Sequence, residues 1–179
     1  MTICVYCSAK DTIPAVYKET GVALGKWIAE HGHNLLFGGA TGGLMTAVSE
    51  AAREAGGNVV GVVPERIIRS GRLSAVCTEL IRVENMSVRK QTMRDRADVF
   101  VCLPGSFGTL DEMFDVIASG TVGEHKKPLF ILNQEGFYDG LQQEIAHMKS
   151  LGFIPQEESY KPRFADTIEE LTEQITALA

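Results

Sequence analysis

The residues with the clearest potential for chemistry lie in the segment PGSFGTLDE, which spans Pro104–Glu112 and follows the apolar run VFVCLP. Gly105 and Gly108 give the backbone the freedom to come close to a ligand at this turn. Glu112 and Asp115 are three residues apart, so a helix here would place both carboxylates on one face. If the turn binds a phosphate, two nearby acids would repel it unless they serve another part of the ligand. A sugar hydroxyl, a glycosidic carbon or a water molecule would suit them.

The same segment has a purely structural interpretation. Thr109 and Glu112 have the T-x-x-E spacing of a capping box, in which the glutamate only stabilises a helix end. The glycines that precede Thr109 and the crowding of Asp111, Glu112 and Asp115 favour a binding site instead. Both interpretations remain open at this point.

A second glycine-rich stretch, FGGATGGLM, runs from a strand-like segment into a helix-like one. Gly38, Gly39, Gly42 and Gly43 would let the backbone approach an anion, and the following helix would offer free N–H groups. The alternative is a plain tight turn. The stretch is not a dinucleotide fingerprint, because CSAKD after the first strand has no glycine, and no GK[ST] of a P-loop follows it.

Cations are concentrated in the segment MSVRKQTMR and the residues that follow it. Arg89 and Arg96 are seven residues apart on one helix face, and Lys90 and Arg94 are four apart on another. A solvated basic face would explain this pattern. The functional interpretation is that one face carries an arginine that pairs with a phosphate.

The elements that position these residues alternate between short apolar strands and amphipathic helices along the whole chain. Residues 65–78 are expected to form an ordered loop or a short helix. Such alternation predicts an α/β fold with a single doubly wound parallel sheet, Rossmann-like, with helices on both faces and one domain over residues 1–179. Ligands of such sheets bind beyond the carboxyl ends of the strands, at the loops SAKD, GGATGG and PGSFGT.

Composition narrows the classes of function. The 179 residues carry a net charge of −6, which argues against a nucleic-acid partner, and no run approaches the length of a membrane span. No export signal is visible, so a cytoplasmic location is expected. The spacing CVYC would suit a redox or metal pair, but in a strand Cys4 and Cys7 point to opposite faces. No metal site is expected.

Taken together, these motifs resemble the LONELY GUY family of cytokinin-activating phosphoribohydrolases. The family motif PGGxGTxxE matches PGSFGTLDE, and the Arg-Lys pair that precedes it matches Arg89 and Lys90. LLFGGATGGLM, GGNVVGVVP and KPLFILNQEGFYDGL extend the resemblance over roughly residues 3–155. Family members hydrolyse the N-glycosidic bond of adenosine-type 5′-monophosphates to the base and ribose 5-phosphate without a metal or redox cofactor.

The resemblance implies that Glu112 and Arg89 are the catalytic residues. The implied substrate contacts are Ser8, Gly38, Gly39, Gly42, Gly43, Met86, Lys90, Pro104, Gly105, Ser106, Phe107, Gly108, Thr109 and Asp115. The resemblance also implies a homodimer, for which the helices around Met45, Met86, Met93 and Met113 offer an apolar patch unless these side chains fill the core.

The chain departs from the family pattern at Ser106, Ser87, Ala118 and Ser119. These departures leave the preferred base open, whether adenine or a cytokinin. A non-catalytic sensor of nucleotides with the same fold is the alternative function. The presence of both Arg89 and Glu112 favours the enzyme, because a sensor needs no carboxylate at the sugar.

Overall fold

A computed structural model of the chain describes residues 1–178. Strands and helices alternate as the sequence predicts, and all seven strands form one parallel sheet in the order β4-β3-β2-β1-β5-β6-β7. The strands are β1 Thr2–Tyr6, β2 Asn34–Phe37, β3 Asn58–Pro64, β4 Glu79–Val83, β5 Val99–Cys102, β6 Leu129–Leu132 and β7 Arg163–Ala165. The helices are α1 Ala15–Glu30, α2 Gly43–Glu54, α3 Glu65–Arg69, α4 Met86–Arg96, α5 Phe107–Thr121, α6 Asp139–Ser150 and α7 Ile168–Thr176.

The strand order creates one topological switch point, between β1 and β5. From β1 the chain moves outward through β2, β3 and β4, and it then returns to place β5 on the other side of β1. Two backbone hydrogen bonds join the carboxyl ends of β1 and β5, from Leu103 N to Tyr6 O at 3.0 Å and from Ser8 N to Pro104 O at 3.2 Å. They form the floor of a crevice between the loops that follow these strands. The loops after β1 and β5 therefore diverge above this floor, as expected for a ligand crevice.

Each face of the sheet has its own apolar core, because alternate strand residues point to opposite sides. Cys7 packs in one core and Cys4 in the other, which confirms that the two cysteines of CVYC point to opposite faces of the sheet. Burial raises the pKa of both thiols. Met93 and Met113 are also fully buried, so the proposal that they form a dimer patch is wrong and they fill the core.

Helix α1 packs against the core through two glycines as well as through apolar residues. The buried residues of α1 are Gly21, Leu24, Gly25 and Ile28, whereas Val16 and Val22 are exposed. A Cβ on Gly25 would collide with the main-chain carbonyl oxygen of Val48, so α1 and α2 approach more closely than larger residues would allow. Within residues 1–178, no helix combines the length and apolarity needed to cross a membrane.

Candidate active site

A buried ion pair lies where α4 and α5 face each other near the switch point. Arg89 Nη1 donates a hydrogen bond to Glu112 Oε1 at 2.5 Å. The two side chains are only 7% and 5% exposed, yet both line a cavity that opens to solvent. A buried pair of this kind costs desolvation energy that its mutual attraction must offset, so its presence is weak evidence for a role in stability.

Two further contacts fix the arginine. Arg89 Nε donates to the carbonyl oxygen of Val62 in β3 at 3.0 Å. Gly38, at the end of β2, faces the other side of the guanidinium, and a Cβ there would collide with Arg89 Nη2. Gly38 was expected to make room for a phosphate; the structure shows that it makes room for this arginine.

The structure does not contain the capping box that the sequence offers. Helix α5 begins at Phe107 with Ser106 as its N-cap, so Thr109 lies inside the helix and caps nothing. The carboxylate of Glu112 is turned toward Arg89 on α4 instead of back to the helix start. Helix α5 starts earlier than the T-x-x-E pattern suggests, and its neighbour α4 supplies the partner for the acid.

The other acids of α5 are neutralised by the same basic helix. Lys90 Nζ donates to Asp111 Oδ1 at 2.8 Å, and Arg94 pairs with Asp115. The ion pair with Asp111 raises the pKa of Lys90. Lys90 and Asp115 were expected to contact substrate, but the structure places them in this pairing network outside the cavity. Arg96 lies apart from Arg89 and pairs with Glu79 near the surface.

The two helix N-termini near the crevice differ in their capacity to bind an anion. At α2, Gly43 N donates to Asp11 Oδ1 at 2.8 Å, and the amides of Leu44 and Met45 donate to the carbonyl oxygen of Ser8. The protein itself therefore occupies this terminus, on which Gly42 and Gly43 were expected to hold phosphate.

At α5 the terminus is open. Among the described residues, the amides of Phe107, Gly108 and Thr109 have no hydrogen-bond acceptor within the protein. Gly105 allows the turn to close tightly, because a Cβ there would collide with the side chain of Thr109. Free amides at a helix N-terminus form a site for phosphate. The side chain of Phe107 points outward and is 89% exposed, so this residue can contribute only its backbone.

The cavity between these elements has a volume of about 240 Å³. Eight of the expected site residues line it, namely Ser8, Gly38, Met86, Arg89, Ser106, Gly108, Thr109 and Glu112. Pro104 and Gly105 line an adjoining cavity of about 270 Å³. Gly39, Gly42, Gly43 and Phe107 line neither cavity. A larger groove of about 1020 Å³ near Lys126 and Arg163 contains none of these residues.

The structure adds side chains to the cavity that the sequence analysis did not name individually, although Lys10 belongs to the expected loop SAKD. Lys10 and Arg72 bring two cations to its wall, and Ile67 adds an apolar side chain. Arg72 lies in the connection between α3 and β4, which carries no motif. The connection reaches the site because it pairs with the β2–α2 loop, through a bridge between Ala40 and Leu73. No local sequence signal could have shown this pairing.

The acid–base properties of the site are dominated by burial. Burial raises the pKa of the Glu112 carboxyl above its ordinary value, and the nearby Arg89 guanidinium opposes this shift. A carboxyl group with a raised pKa is a better proton acceptor once it is ionised. The arrangement can thus hold a phosphate at the start of α5 and present a carboxylate to the group bound beside it.

The sequence of this chain is similar to those of several proteins that carry an enzyme name. A protein from Oryza sativa subsp. japonica named cytokinin riboside 5′-monophosphate phosphoribohydrolase LOG is 39% identical over 155 residues, which is 87% of this chain and 64% of the rice protein. This chain therefore spans less than two thirds of the rice protein. The protein of the same enzyme name from Mycobacterium marinum is 40% identical over 153 residues, or 86% of this chain and 81% of that protein.

Solved structures share the fold. The crystal structure of the structural-genomics target TM1055 has a TM-score of 0.76 at 24% identity and covers 98% of each chain. The molybdenum cofactor carrier protein from Chlamydomonas reinhardtii also has a TM-score of 0.76, at 22% identity, with 99% of this chain and 96% of that chain covered. At this level of identity, the likeness shows the fold alone.

The family model described as possible lysine decarboxylase matches residues 45–175. That range includes both catalytic candidates and the open terminus of α5. Because the curated relatives are named phosphoribohydrolases, they support an enzyme activity in this chain. The model match and the two relatives agree with the motifs around Arg89 and Glu112, and the chain belongs to the LONELY GUY family.

Proposed function

We propose that this protein is a phosphoribohydrolase that cleaves the N-glycosidic bond of a nucleoside 5′-monophosphate, giving the free base and ribose 5-phosphate. The observation that carries the proposal is that the buried pair Arg89–Glu112 and the open N-terminus of α5 line one cavity. This arrangement supports a phosphate site beside a carboxylate-assisted reaction centre. The names of the relatives support this reaction.

The 5′-phosphate would bind at the start of α5. The free amides of Phe107, Gly108 and Thr109 donate to its oxygens, and the hydroxyl groups of Ser106 and Thr109 lie at the same turn. The partial positive charge of the helix N-terminus adds to this attraction. The ribose then extends from the phosphate toward Glu112, one helical turn further along α5.

The reaction breaks the bond between the anomeric carbon and the base nitrogen, and the base leaves with the bonding electrons and takes up a proton. Positive charge develops on the anomeric carbon, and the Glu112 carboxylate stabilises it. Water supplies the oxygen of the new bond and loses a proton to Glu112, or the carboxylate adds first and water displaces it. Arg89 holds the carboxylate in place through the hydrogen bond from Nη1.

Adenosine monophosphate and cytokinin riboside 5′-monophosphate are the first substrates to examine, because the relatives carry the latter in their names. Base release is followed by chromatography for these nucleotides and for adenosine. If the start of α5 binds the phosphate, adenosine should react far more slowly than its monophosphate. Equal turnover of the two would contradict the assignment of the phosphate site.

Glu112→Gln is the decisive variant. The amide oxygen of glutamine can still accept the hydrogen bond from Arg89, but it cannot carry negative charge or take a proton. The loss of general-base assistance alone should lower kcat by about 10²–10⁴. A melting curve should show that the variant remains folded. Glu79→Gln, which alters a surface ion pair with Arg96, is the matched control and should retain activity.

Full activity in Glu112→Gln would refute the mechanism. If the wild type binds nucleoside monophosphates but releases no base from any of them, the protein is a sensor of nucleotides rather than an enzyme.

The same proposal includes a homodimer. On α5 and at its C-terminal end, Phe107, Phe114 and Val122 are exposed on one side of the helix, with Phe107 at 89% and Val122 at 75%. Val88 on the neighbouring α4 is also exposed. An apolar strip of this kind, rather than the buried Met93 and Met113, is the surface that a second copy would cover.

A further inference from the structure

The loop after β6, residues 133–138, lies beside the turn that leads into α5, residues 103–106. Strand β6 pairs in parallel with β5, so the carboxyl ends of the two strands lie at the same edge of the sheet. The backbone of the loop reverses sharply. Glu135 has a φ of 54° and is the only residue other than glycine with a positive φ in the part of the chain that the structure describes. Such a conformation persists only where surrounding contacts hold it.

Asn133, at the end of β6, provides these contacts. Its Oδ1 accepts a hydrogen bond from Tyr138 N at 2.7 Å. Its Nδ2 donates to Asp139 Oδ1 at 2.9 Å and to Asp166 Oδ1 at 3.1 Å. Asn133 is 6% exposed, so the acceptor and both donors of its amide are used in the interior. The backbone of Tyr138 is thereby fixed relative to the ends of β6 and β7.

The side chain of Tyr138 joins this loop to the turn before α5. The Tyr138 hydroxyl donates to the carbonyl oxygen of Leu103 at 2.9 Å, and both residues are buried. Burial raises the pKa of the hydroxyl, so the group keeps its proton and remains a donor. Leu103 N donates to Tyr6 O on the other side. Leu103 is therefore held by β1 through its amide and by Tyr138 through its carbonyl.

The orientation of the Leu103 carbonyl is passed on to the start of α5. A peptide group is planar, so this carbonyl sets the plane of the bond between Leu103 and Pro104. Pro104 has a fixed φ and no N–H of its own, and only Gly105 separates it from Ser106, the N-cap of α5. A rotation of the Leu103–Pro104 peptide would therefore tilt the turn and move the free amides at the start of the helix.

We propose that Tyr138 is a positioning residue for the phosphate site, because its hydroxyl holds the turn in the orientation that aims the first amides of α5 at the 5′-phosphate. The inference rests on the proposed function. Tyr138 lines neither cavity of the site, so it acts through the turn and not through the substrate. The alternative is a merely structural role, in which the hydroxyl only satisfies a buried carbonyl.

Tyr138→Phe removes the hydroxyl and keeps the ring in the core. Calorimetry measures the Kd of ribose 5-phosphate, which carries the phosphate, and of adenosine, which lacks it. The Kd of ribose 5-phosphate should rise about three- to tenfold, the size expected when one hydrogen bond to a charged group is weakened. The Kd of adenosine should stay at the wild-type value. For adenosine monophosphate, KM should rise in the same proportion and kcat should change less, because Arg89 and Glu112 keep their contact.

Tyr160→Phe is the matched control. The Tyr160 hydroxyl also donates to a main-chain carbonyl, that of Lys127 at 2.8 Å, and its ring packs in the same core as Tyr138. Lys127 precedes β6, so this bond lies at the opposite edge of the sheet from the turn. Both variants lose the same kind of bond and should show a similar decrease in the urea midpoint. Only Tyr138→Phe should change the Kd of ribose 5-phosphate.

The results separate this inference from the proposed function. An unchanged Kd of ribose 5-phosphate in Tyr138→Phe, an equal loss in Tyr160→Phe, or an equal loss for adenosine would overturn the inference, even if the wild type cleaves nucleotides. So would a wild type that does not bind ribose 5-phosphate. A loss confined to Tyr138→Phe and to the phosphate-bearing ligand supports it, even if the wild type releases no base from any nucleotide.

Discussion

At the scale of single residues, Glu112 combines its proposed catalytic role with an unusual environment. It lies in the interior of the protein beside Arg89 and reaches solvent only through the cavity. Burial raises the pKa of its carboxyl, and Arg89 limits the rise. The raised pKa of the Glu112 carboxyl has two consequences. The proposed reaction needs the ionised carboxylate, so activity should increase as the pH rises through the folded-state pKa. The free energy of unfolding should change in the opposite sense.

We expect the Glu112 carboxyl in the folded protein to titrate above its ordinary value of 4.5. Because the folded state then holds the proton more tightly than the unfolded state, the stabilisation from this group is complete below the unfolded pKa. It declines as the pH rises toward the folded pKa. NMR of ¹³C-labelled glutamate carboxyls measures the titration without substrate, and Glu112→Gln identifies the resonance. Titration at or below 4.5 would contradict this prediction.

Gly38 tests how strictly the arginine must be positioned. Gly38→Ala places a Cβ against Arg89 Nη2 and should displace the guanidinium from Glu112. A misplacement of about 1 Å can reduce catalysis by about 10²-fold, so kcat should fall by about this factor. Gly140→Ala in α6 is the control, because its Cβ meets open space and alanine favours a helix. Unchanged kcat in Gly38→Ala would show that Arg89 has room to adjust.

At the scale of elements, the two helix N-termini near the crevice have separate roles. Helix α2 is capped from within the protein by Asp11, whereas α5 keeps its first amides free. Both helices follow glycine-rich turns, so the sequence alone gives them the same capacity for anions. The difference arises from the loop after β1, whose carboxylate reaches α2 and not α5.

Asp11→Ala should remove this cap and destabilise the fold. The loss of a capping side chain costs about 1 kcal/mol of unfolding free energy, and for a domain of this size the melting temperature should fall by about 2–4 °C. Asp11→Asn retains an oxygen acceptor and should lose less. Urea unfolding measures both variants. An alanine variant as stable as the wild type would show that water replaces the carboxylate at Gly43 without cost.

At the scale of the whole molecule, the exposed apolar strip on α5 determines the expected assembly. We predict that the wild type is a dimer by light scattering and that Phe107→Ser combined with Val122→Asp yields a monomer. The second substitution buries a charge in the interface, which is costly. Phe153→Asp is the control, since Phe153 is 80% exposed and lies outside α5. A monomeric wild type, or a dimer that survives the double substitution, would refute this interface.

Local patterns in the sequence were enough to predict the architecture and to single out Glu112 and Arg89 as candidate site residues. Apolar strands alternating with amphipathic helices specify a parallel sheet covered on both faces, and such a sheet places the loops after β1, β2 and β5 at one edge. The motif around Glu112 and the Arg-Lys pair could also be recognised from local patterns. Each lies within a short stretch whose residue types and spacing suffice to describe it.

Tertiary structure alone decided how these residues are used, because the deciding contacts join positions far apart in the chain. Glu112 could cap its own helix, but Arg89 lies 23 residues away in sequence and becomes its partner only when α4 packs beside α5. Asp11 caps the N-terminus of α2 although it lies 32 residues from Gly43 in the sequence. Arg72 lines the cavity because its segment contacts Thr41, which lies 31 residues away in the sequence. Spacing in a sequence describes neighbours within one element, and it carries no information about which side chains of different elements come into contact.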